Sequence, residues 1–469
     1  MKRRTAALSL IAMLAAGCAG LPPKIQPVKL TNAAPLAGLD SGGGEWPAKE
    51  WWNQYQDPTL NRVIELALGN SPTLATARSR FESALQSVRV AGAASGAQVV
   101  AGAAFDRQRL SDNGLLSPQL LGFHWYNQAD LGLHASYAFD WWGKQRDAVS
   151  AALDQAHAAA ADRSAAALVL ASSVADAYFG WQADQSRLVL AREREGTVLR
   201  ESAITAARVG ADLDSGDSVN RSQMALGLVR EQIAGLEGSA KLRLVALAAL
   251  AGCSMTELPP ITPRPLPAPH GSVPDNVTID LISRRADITA SRWRVEAAEK
   301  NLHSARAEFF PDVSVNALLG LQSINVSTLL EYRSRVPQAG AAIHLPIFDA
   351  GRLKARYGSM QAAINSAVSA YQEIVVGAAR DVATQVSSRA QIAAQRTQRE
   401  IEVDAAVKLR GAAAARAGQG ITDASPELAA TETWIVQRDA LLQLDAAALS
   451  ADIALQRALG GGYEGTSTP

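Results

Sequence analysis

Cysteine is nearly absent. Cys18 and Cys253 are the only two in 469 residues, so no disulfide framework can carry the fold. Aromatic residues are also scarce, at 5% against 48% hydrophobic residues, and much of the difference is alanine. That balance suits large bundles or barrels with close backbone approach better than an ordinary globular core. Lys and Arg (45) balance Asp and Glu (45), which gives no support to a nucleic-acid partner. Beyond residue 17 no apolar run looks long enough for a membrane-spanning helix, so strands must make any crossing. The six histidines, at 124, 134, 157, 270, 303 and 344, lack metal-ligand spacing.

What is present begins with Lys2-Arg3-Arg4 and an apolar run from Ala6 to Ala16, too short to stay in a bilayer. Residues 1–17 read as a signal peptide ending in Leu14-Ala15-Ala16-Gly17 before Cys18, the pattern of a lipoprotein cleavage site. Cys18 is expected to carry a diacylglyceryl group and an N-acyl chain, with no other cofactor implied. Leu250-Ala251-Gly252-Cys253 fits the same four-letter pattern better but lies deep in the chain, so position carries the inference, and Cys253 reads as a small buried filler. Ala19 is not the aspartate that retains lipoproteins at the inner membrane, which leaves the outer membrane as the destination. Residues 18–44 read as a flexible tether, and Gly42-Gly43-Gly44 as linker with no strand and helix around it to make a phosphate loop.

The chain repeats itself. Ala207-Arg208-Val209-Gly210 returns as Ala415-Arg416-Ala417-Gly418 (418 − 210 = 208), and Gly143-Lys144-Gln145-Arg146 as Gly351-Arg352-Leu353-Lys354 at the same shift. Upstream, Ser71 to Arg78 matches Arg285 to Arg292 (285 − 71 = 214), so one copy holds six more residues in between. Two copies follow, one reaching 252 after a lead-in segment from 45, the other at 285–460. A Pro-rich connector, 253–284, joins them, and 461–469 form a tail. Each copy reads helix, strand, loop, strand, long helix, return helix. The strands fall near 98–107, 129–140, 312–321 and 338–348; the long helices near 143–209 and 351–417; the return helices near 213–252 and 426–459.

Each long helix runs 67 residues without an internal proline, about 100 Å at ~1.5 Å per residue. Leu153, Ala160, Ala167, Val174, Trp181 and Leu188 recur every seven, a coiled-coil register. A soluble rod would share that periodicity, and the strands decide against it. Val99, Ala101, Ala103 and Phe105 alternate with small or polar residues, as do Leu131 to Phe139, Val313 to Leu319 and Ala339 to Ile347. Four such segments suit tilted transmembrane strands with one face to lipid, and Asp106, His134, Ser136, Ser314, Asn316 and His344 would line water on the other. Trp125-Tyr126, Trp141-Trp142, Phe309-Phe310 and Phe348 cluster at strand ends like a headgroup girdle. Four strands cannot close a barrel, but three copies supply twelve.

Glu50-Trp51-Trp52, Tyr55-Gln56-Asp57-Pro58-Thr59-Leu60, Ser136 to Gly143, Arg284 to Ile288, Phe309 to Ser314 and Leu345 to Arg352 together resemble the outer membrane efflux proteins, the TolC-like outer membrane factors. The likeness is strongest to the acylated NodT-type branch that serves resistance-nodulation-division pumps. It implies a mixed α and β membrane protein, a homotrimer whose 12-stranded barrel continues into a periplasmic helical barrel with an equatorial belt. It also implies a periplasmic adaptor and an inner-membrane pump as partners, and a passive conduit rather than an enzyme. The family has proline where this chain has Ala286.

A conduit needs a gate. The turns at Gly210 to Asp217 and Gly418 to Glu427 join long helices to return helices, and Asp212, Asp214, Asp217, Asp423 and Glu427 would form acidic rings under threefold symmetry. Helix capping explains any one of them equally well. In the family an acidic residue falls about six after the turn glycine, where this chain has Gly216 and Ala424. Gly216-Asp217-Ser218 has the letters of one lipase nucleophile motif but not its strand or distal Asp-x-x-His. The alternatives are a periplasmic lipoprotein adaptor or coiled-coil scaffold, which carries one hairpin instead of two, and the outer-membrane duct of a type I secretion system.

Overall fold

The computed structural model describes residues 29–30, 43–113, 117–270, 273–274 and 277–465. The signal peptide, Cys18 and most of the tether lie outside the described residues. A 3-10 turn at Trp51–Tyr55 precedes α1 (Pro58–Asn70), α2 (Pro72–Ala94), β1 (Gln98–Arg109), β2 (Trp125–Phe139), α3 (Lys144–Gly210) and α4 (Gly216–Ala251). Then come α5 (Val277–Arg284), α6 (Ala286–Ala307), β3 (Asp312–Ser323), β4 (Arg335–His344), α7 (Arg352–Gly418) and α8 (Ser425–Ala458).

The duplication is visible in the elements. β3 is β1 displaced by 214 at both ends (312 − 98 and 323 − 109), and α7 is α3 displaced by 208 at both ends (352 − 144 and 418 − 210). Backbone conformation follows the same shift: Gly143 and Gly351, Gly252 and Gly460, and Asp212 and Gly420 are all left-handed. Glycine has no Cβ to oppose that conformation, and Asp tolerates it better than most residues. The extra residues of the first copy are distributed. β2 has 15 residues against 10 in β4, and the loop before it is also longer.

Two compact units are present. One contains Phe81–Ala159 and Ser291–Tyr371. Its centre is an antiparallel four-stranded sheet in the order β1-β2-β3-β4, with β1 and β4 as open edges. The register pairs odd with odd and even with even throughout: Ala101 with Leu133, Ala135 with Ala317, Val313 with Ile343; Gln98 with Ser136, Ser136 with Asn316, Asp312 with His344. Paired residues point to the same side. One face therefore carries Val99, Phe105, Leu131, Leu133, Val315, Leu319 and Ile343, and the other His134, Ser136, Ser314, Asn316 and His344.

The other unit contains Thr31–Arg80, Ala160–Ala290 and Gln372 onward. Its core joins Trp51, Trp52 and Tyr55 to Leu60, Ile64, Val174, Tyr178, Phe179, Leu247 and Leu449. Asp57 caps α1, accepting from the Thr59 and Leu60 amides at 2.9 and 3.3 Å, and also accepts from the Tyr178 hydroxyl at 2.7 Å. Asp452, fully buried, accepts from the Tyr55 hydroxyl at 2.9 Å and the His270 amide at 3.2 Å, with Arg389 at 3.7 Å. Gln182 pins the connector: its amide donates to the Thr262 carbonyl at 3.0 Å and its carbonyl accepts from the Arg264 amide at 2.7 Å.

Several expectations are corrected. The heptad stripe holds only in part, since Leu153 is exposed, Ala160 and Ala167 are half-buried, and Val174, Trp181 and Leu188 are buried. Every residue from Ala177 to Asp184 other than Gly180 is buried, which a single coiled-coil seam does not produce. α3 also contains a stretch long and apolar enough, by length and composition alone, to cross a membrane, contrary to the sequence reading. Part of the helix, including Leu170, Val174, Tyr178 and Phe179, belongs to the protein core with Trp51 and Tyr55. β4 starts and ends earlier than 338–348, leaving Leu345 and Ile347 outside it, because its partner β3 begins at Asp312 opposite His344 and Pro311 before it has no amide to extend the ladder. β2 starts at Trp125 rather than 129, so Trp125 and Tyr126 are its first two residues and remain at a strand end. The end of the connector is helical, as α5, and Cys253 is half-buried rather than buried.

Candidate conduit wall and tip

The sheet is one layer thick, and its strands expose both faces. On the apolar face Val99 is 64%, Leu319 65% and Ile343 72% exposed. An uncovered apolar face flanked by two unpaired edges is not stable in water, so this surface needs lipid against the face and another strand at each edge. The sequence-predicted water-facing residues do share the opposite face, where the Asn316 amide donates to Ser314 Oγ at 3.3 Å. Val100 and Leu318 flank His134 there, so the face is not uniformly polar. Sequence reading missed its best-organised group: Asp130 accepts from Gln322 Nε2 at 2.8 Å and from Gln128 Nε2 at 3.0 Å. Its even number in the strand was the available signal.

The aromatic cluster divides into two kinds. Trp142 stacks on Phe310 at 4.6 Å and donates to the Pro311 carbonyl at 2.8 Å, so it packs the strand–helix junction. Trp141, Ile347 and Phe348 are exposed.

Side-chain bridges set the long helices side by side in the order α4, α3, α8, α7. Between α3 and α4, Ser239 donates to Asp184 at 2.6 Å and Arg230 to Glu195 at 2.8 Å. Between α7 and α8, Arg396 meets Asp445 at 2.6 Å. Between α3 and α8 run Asp176 with Ser450 at 2.6 Å, Arg187 with Asp439 at 2.7 Å and Arg194 with Glu432 at 2.7 Å. The outer helices expose aliphatics, Met224, Leu228 and Leu242 on α4 and Val376, Ile401 and Leu409 on α7.

The two hairpin turns meet through Arg208, which the sequence did not single out. Its guanidinium lies 3.8 Å from Asp214 and 3.9 Å from Asp423, one carboxylate from each turn. Asp214 also accepts from the Ser215 amide at 2.8 Å, and this bond, helped by Ser218 and Arg208, holds its carboxyl below the usual carboxylate range. Asp423 accepts from the Ser425 amide at 3.2 Å at the start of α8. Asp212 is the left-handed residue closing α3, while Asp217 and Glu427 sit in the first turns of α4 and α8, where acids oppose the helix dipole. The geometry thus gives Asp214 and Asp423 a bridging cation and leaves Asp217 and Glu427 as helix-start acids.

A sequence profile of the outer membrane efflux proteins matches residues 63–253 and 279–461. The chain belongs to the outer membrane efflux protein family. It is 33% identical over 448 residues to the multidrug resistance outer membrane protein MdtP of Escherichia coli (strain K12), covering 94% of this chain and 91% of that one. To the multidrug resistance outer membrane protein MdtQ of Escherichia coli O157:H7 it is 31% identical, covering 98% of each. The solved structure of the outer membrane protein VceC from Vibrio cholerae superposes with a TM-score of 0.77 at 30% identity, covering 89% of this chain and 100% of that one. This member of the family is an outer-membrane efflux channel protein, with the mixed α and β fold its solved relatives share. Among the described residues no group of His, Cys, Asp or Glu is placed to hold a metal ion.

Proposed function

We propose that three copies of this chain form one passive duct, taking cargo from an inner-membrane pump of the resistance-nodulation-division type through a periplasmic adaptor to the exterior. The single observation that carries the reading is the uncovered sheet. Its apolar face needs lipid and its edges need strands, which a trimer supplies by setting β1 of one copy against β4 of the next. The aliphatics on α4 and α7 support the same closure among the helices. No step requires chemistry from this chain, since the energy comes from the pump; the protein is not an enzyme.

In this reading the acids of the two turns converge on the threefold axis. Asp212, Asp214, Asp217, Asp423 and Glu427 set a cation-favouring entrance, and Arg208 holds the two hairpins of each copy together at rest. Cys18, once acylated, anchors each copy to the inner leaflet of the outer membrane. Intact mass before and after Cys18→Ser replacement reads the anchor directly, with loss of the lipid mass as the expected result.

The duct is tested by heat-modifiable gel migration together with planar-bilayer recording on the purified protein. An SDS-resistant trimer with ion current is expected. A monomer that carries no current refutes the reading. Alanine at both Asp423 and Glu427 is expected to change conductance and ion selectivity, and unchanged values remove those two from the gate.

A further inference from the structure

The charges on the four strands separate by face without exception. Asp106, Asp130 and Asp312 have even numbers and lie on the polar face; Arg107, Arg109 and Arg335 have odd numbers and lie on the apolar one. The strands contain no Lys and no Glu. The arginines are also confined along the strands. Arg107 and Arg109 close β1 and Arg335 opens β4, so all three stand at the ends away from the helix junctions, on the two edge strands. At the junction ends the same face holds only Val99, Tyr137, Phe139, Val313 and Ile343. Aromatic rings back the guanidinium groups. Arg107 lies 5.6 Å from the Trp125 ring centre and Arg335 3.8 Å from that of Tyr332, while Arg109 is paired with Asp112 at 3.2 Å.

Charge on a lipid-facing surface is costly at the bilayer centre and nearly free at headgroup level, which accounts for where these residues sit. It does not account for their sign or type, because a rim meeting only water and neutral headgroups would accept acids and lysines as readily. A planar guanidinium offers two parallel donors that match phosphate oxygens, which a lysine does not. We propose that Arg107, Arg109 and Arg335 form a docking rim for the phosphorylated glycolipid of the outer leaflet. The proposal rests on the barrel reading above. Because β1 and β4 are the strands that meet between copies in that reading, a seated headgroup bridges two subunits.

The test is native mass spectrometry of the purified trimer with three probes: diphosphorylated lipid A, its dephosphorylated form, and phosphatidylglycerol. The wild-type protein is expected to retain the diphosphorylated form roughly tenfold more than either other lipid. The Arg107→Gln/Arg335→Gln protein is expected to retain all three alike. Equal retention of phosphorylated and dephosphorylated lipid A by the wild type, or unchanged selectivity in the variant, overturns the proposal. Retention of phosphatidylglycerol equal to that of lipid A overturns the glycolipid assignment. Trimer migration and bilayer current are recorded for both proteins: their absence in the wild type refutes the barrel, whereas their presence without lipid selectivity refutes only the rim.

Discussion

Arg187 donates twice to Asp439, from Nε at 2.7 Å and from Nη2 at 3.1 Å, and so binds the long helix of the first repeat to the return helix of the second. The pair is only partly exposed, at 24% and 15%. Its two-point geometry makes it worth more than an open surface pair, for which about 0.2–1 kcal/mol is usual. A double-mutant cycle with Arg187→Ala and Asp439→Ala is expected to give a coupling of about 1–2 kcal/mol. It is read from the chemical unfolding midpoint of the detergent-solubilised protein, and coupling near zero contradicts the bridge.

Gly460 and Gly351 are both left-handed, at φ +95° and +88°, but only the first is crowded. A Cβ on Gly460 would stand 2.0 Å from the Arg284 carbonyl oxygen, a backbone atom, whereas one on Gly351 would meet nothing within 4 Å. Gly351→Ala should cost about 1–2 kcal/mol for the conformation alone. Gly460→Ala should cost about 3 kcal/mol or more, with a correspondingly larger fall in Tm. Equal effects would mean that Gly460 does not pack against the Arg284 carbonyl.

The polar face of the strands holds three aspartates and no lysine or arginine. In a closed trimer these acids enrich cations in the lumen. Asn at Asp106, Asp130 and Asp312 together should move the reversal potential under a salt gradient toward the anion value. Single-channel current should persist, since no strand pairing is removed.

The depressed carboxyl of Asp214 has a defined pH window. A lowered acid contributes its stabilisation above the unfolded pKa, ~3.9, and loses it as pH falls through the lower folded value. Asp214 should therefore stay ionised under acidity that protonates ordinary aspartates. Ser218→Ala, which removes a hydroxyl that helps hold the carboxyl low, should move its titration back toward the ordinary range. Carboxyl footprinting by mass spectrometry across that range resolves the shift.

Much of this architecture is written in the sequence because it depends on local periodicity. The alternation of Val99 to Phe105 and the two proline-free runs of 67 residues placed strands and helices almost to their observed ends. The duplication made each half a check on the other. What escaped depends on distant neighbours. Arg208 looked like any helix-end arginine until Asp423, 215 residues later, was found beside it (423 − 208). The apolar stretch of α3 resembles a membrane span because composition does not reveal that some of its side chains pack in one core with Trp51, Tyr55 and Leu449. The heptad reading failed where a helix has neighbours on several sides, since one stripe describes only one of them.

The spacing of the bridges between α3 and α8 has a consequence for how this protein can change. Asp176, Arg187 and Arg194 are 11 and then 7 residues apart, and so are Ser450, Asp439 and Glu432. Together these steps make 18 residues, five turns at 3.6 per turn, so the seam returns to the same side of a straight helix with no net supercoil. An insertion in one helix would therefore have to be matched in its partner and come in blocks of about 7, 11 or 18. Lengthening or shortening in descendants of this chain should be quantised, arriving as paired cassettes and leaving the rows of charges in step.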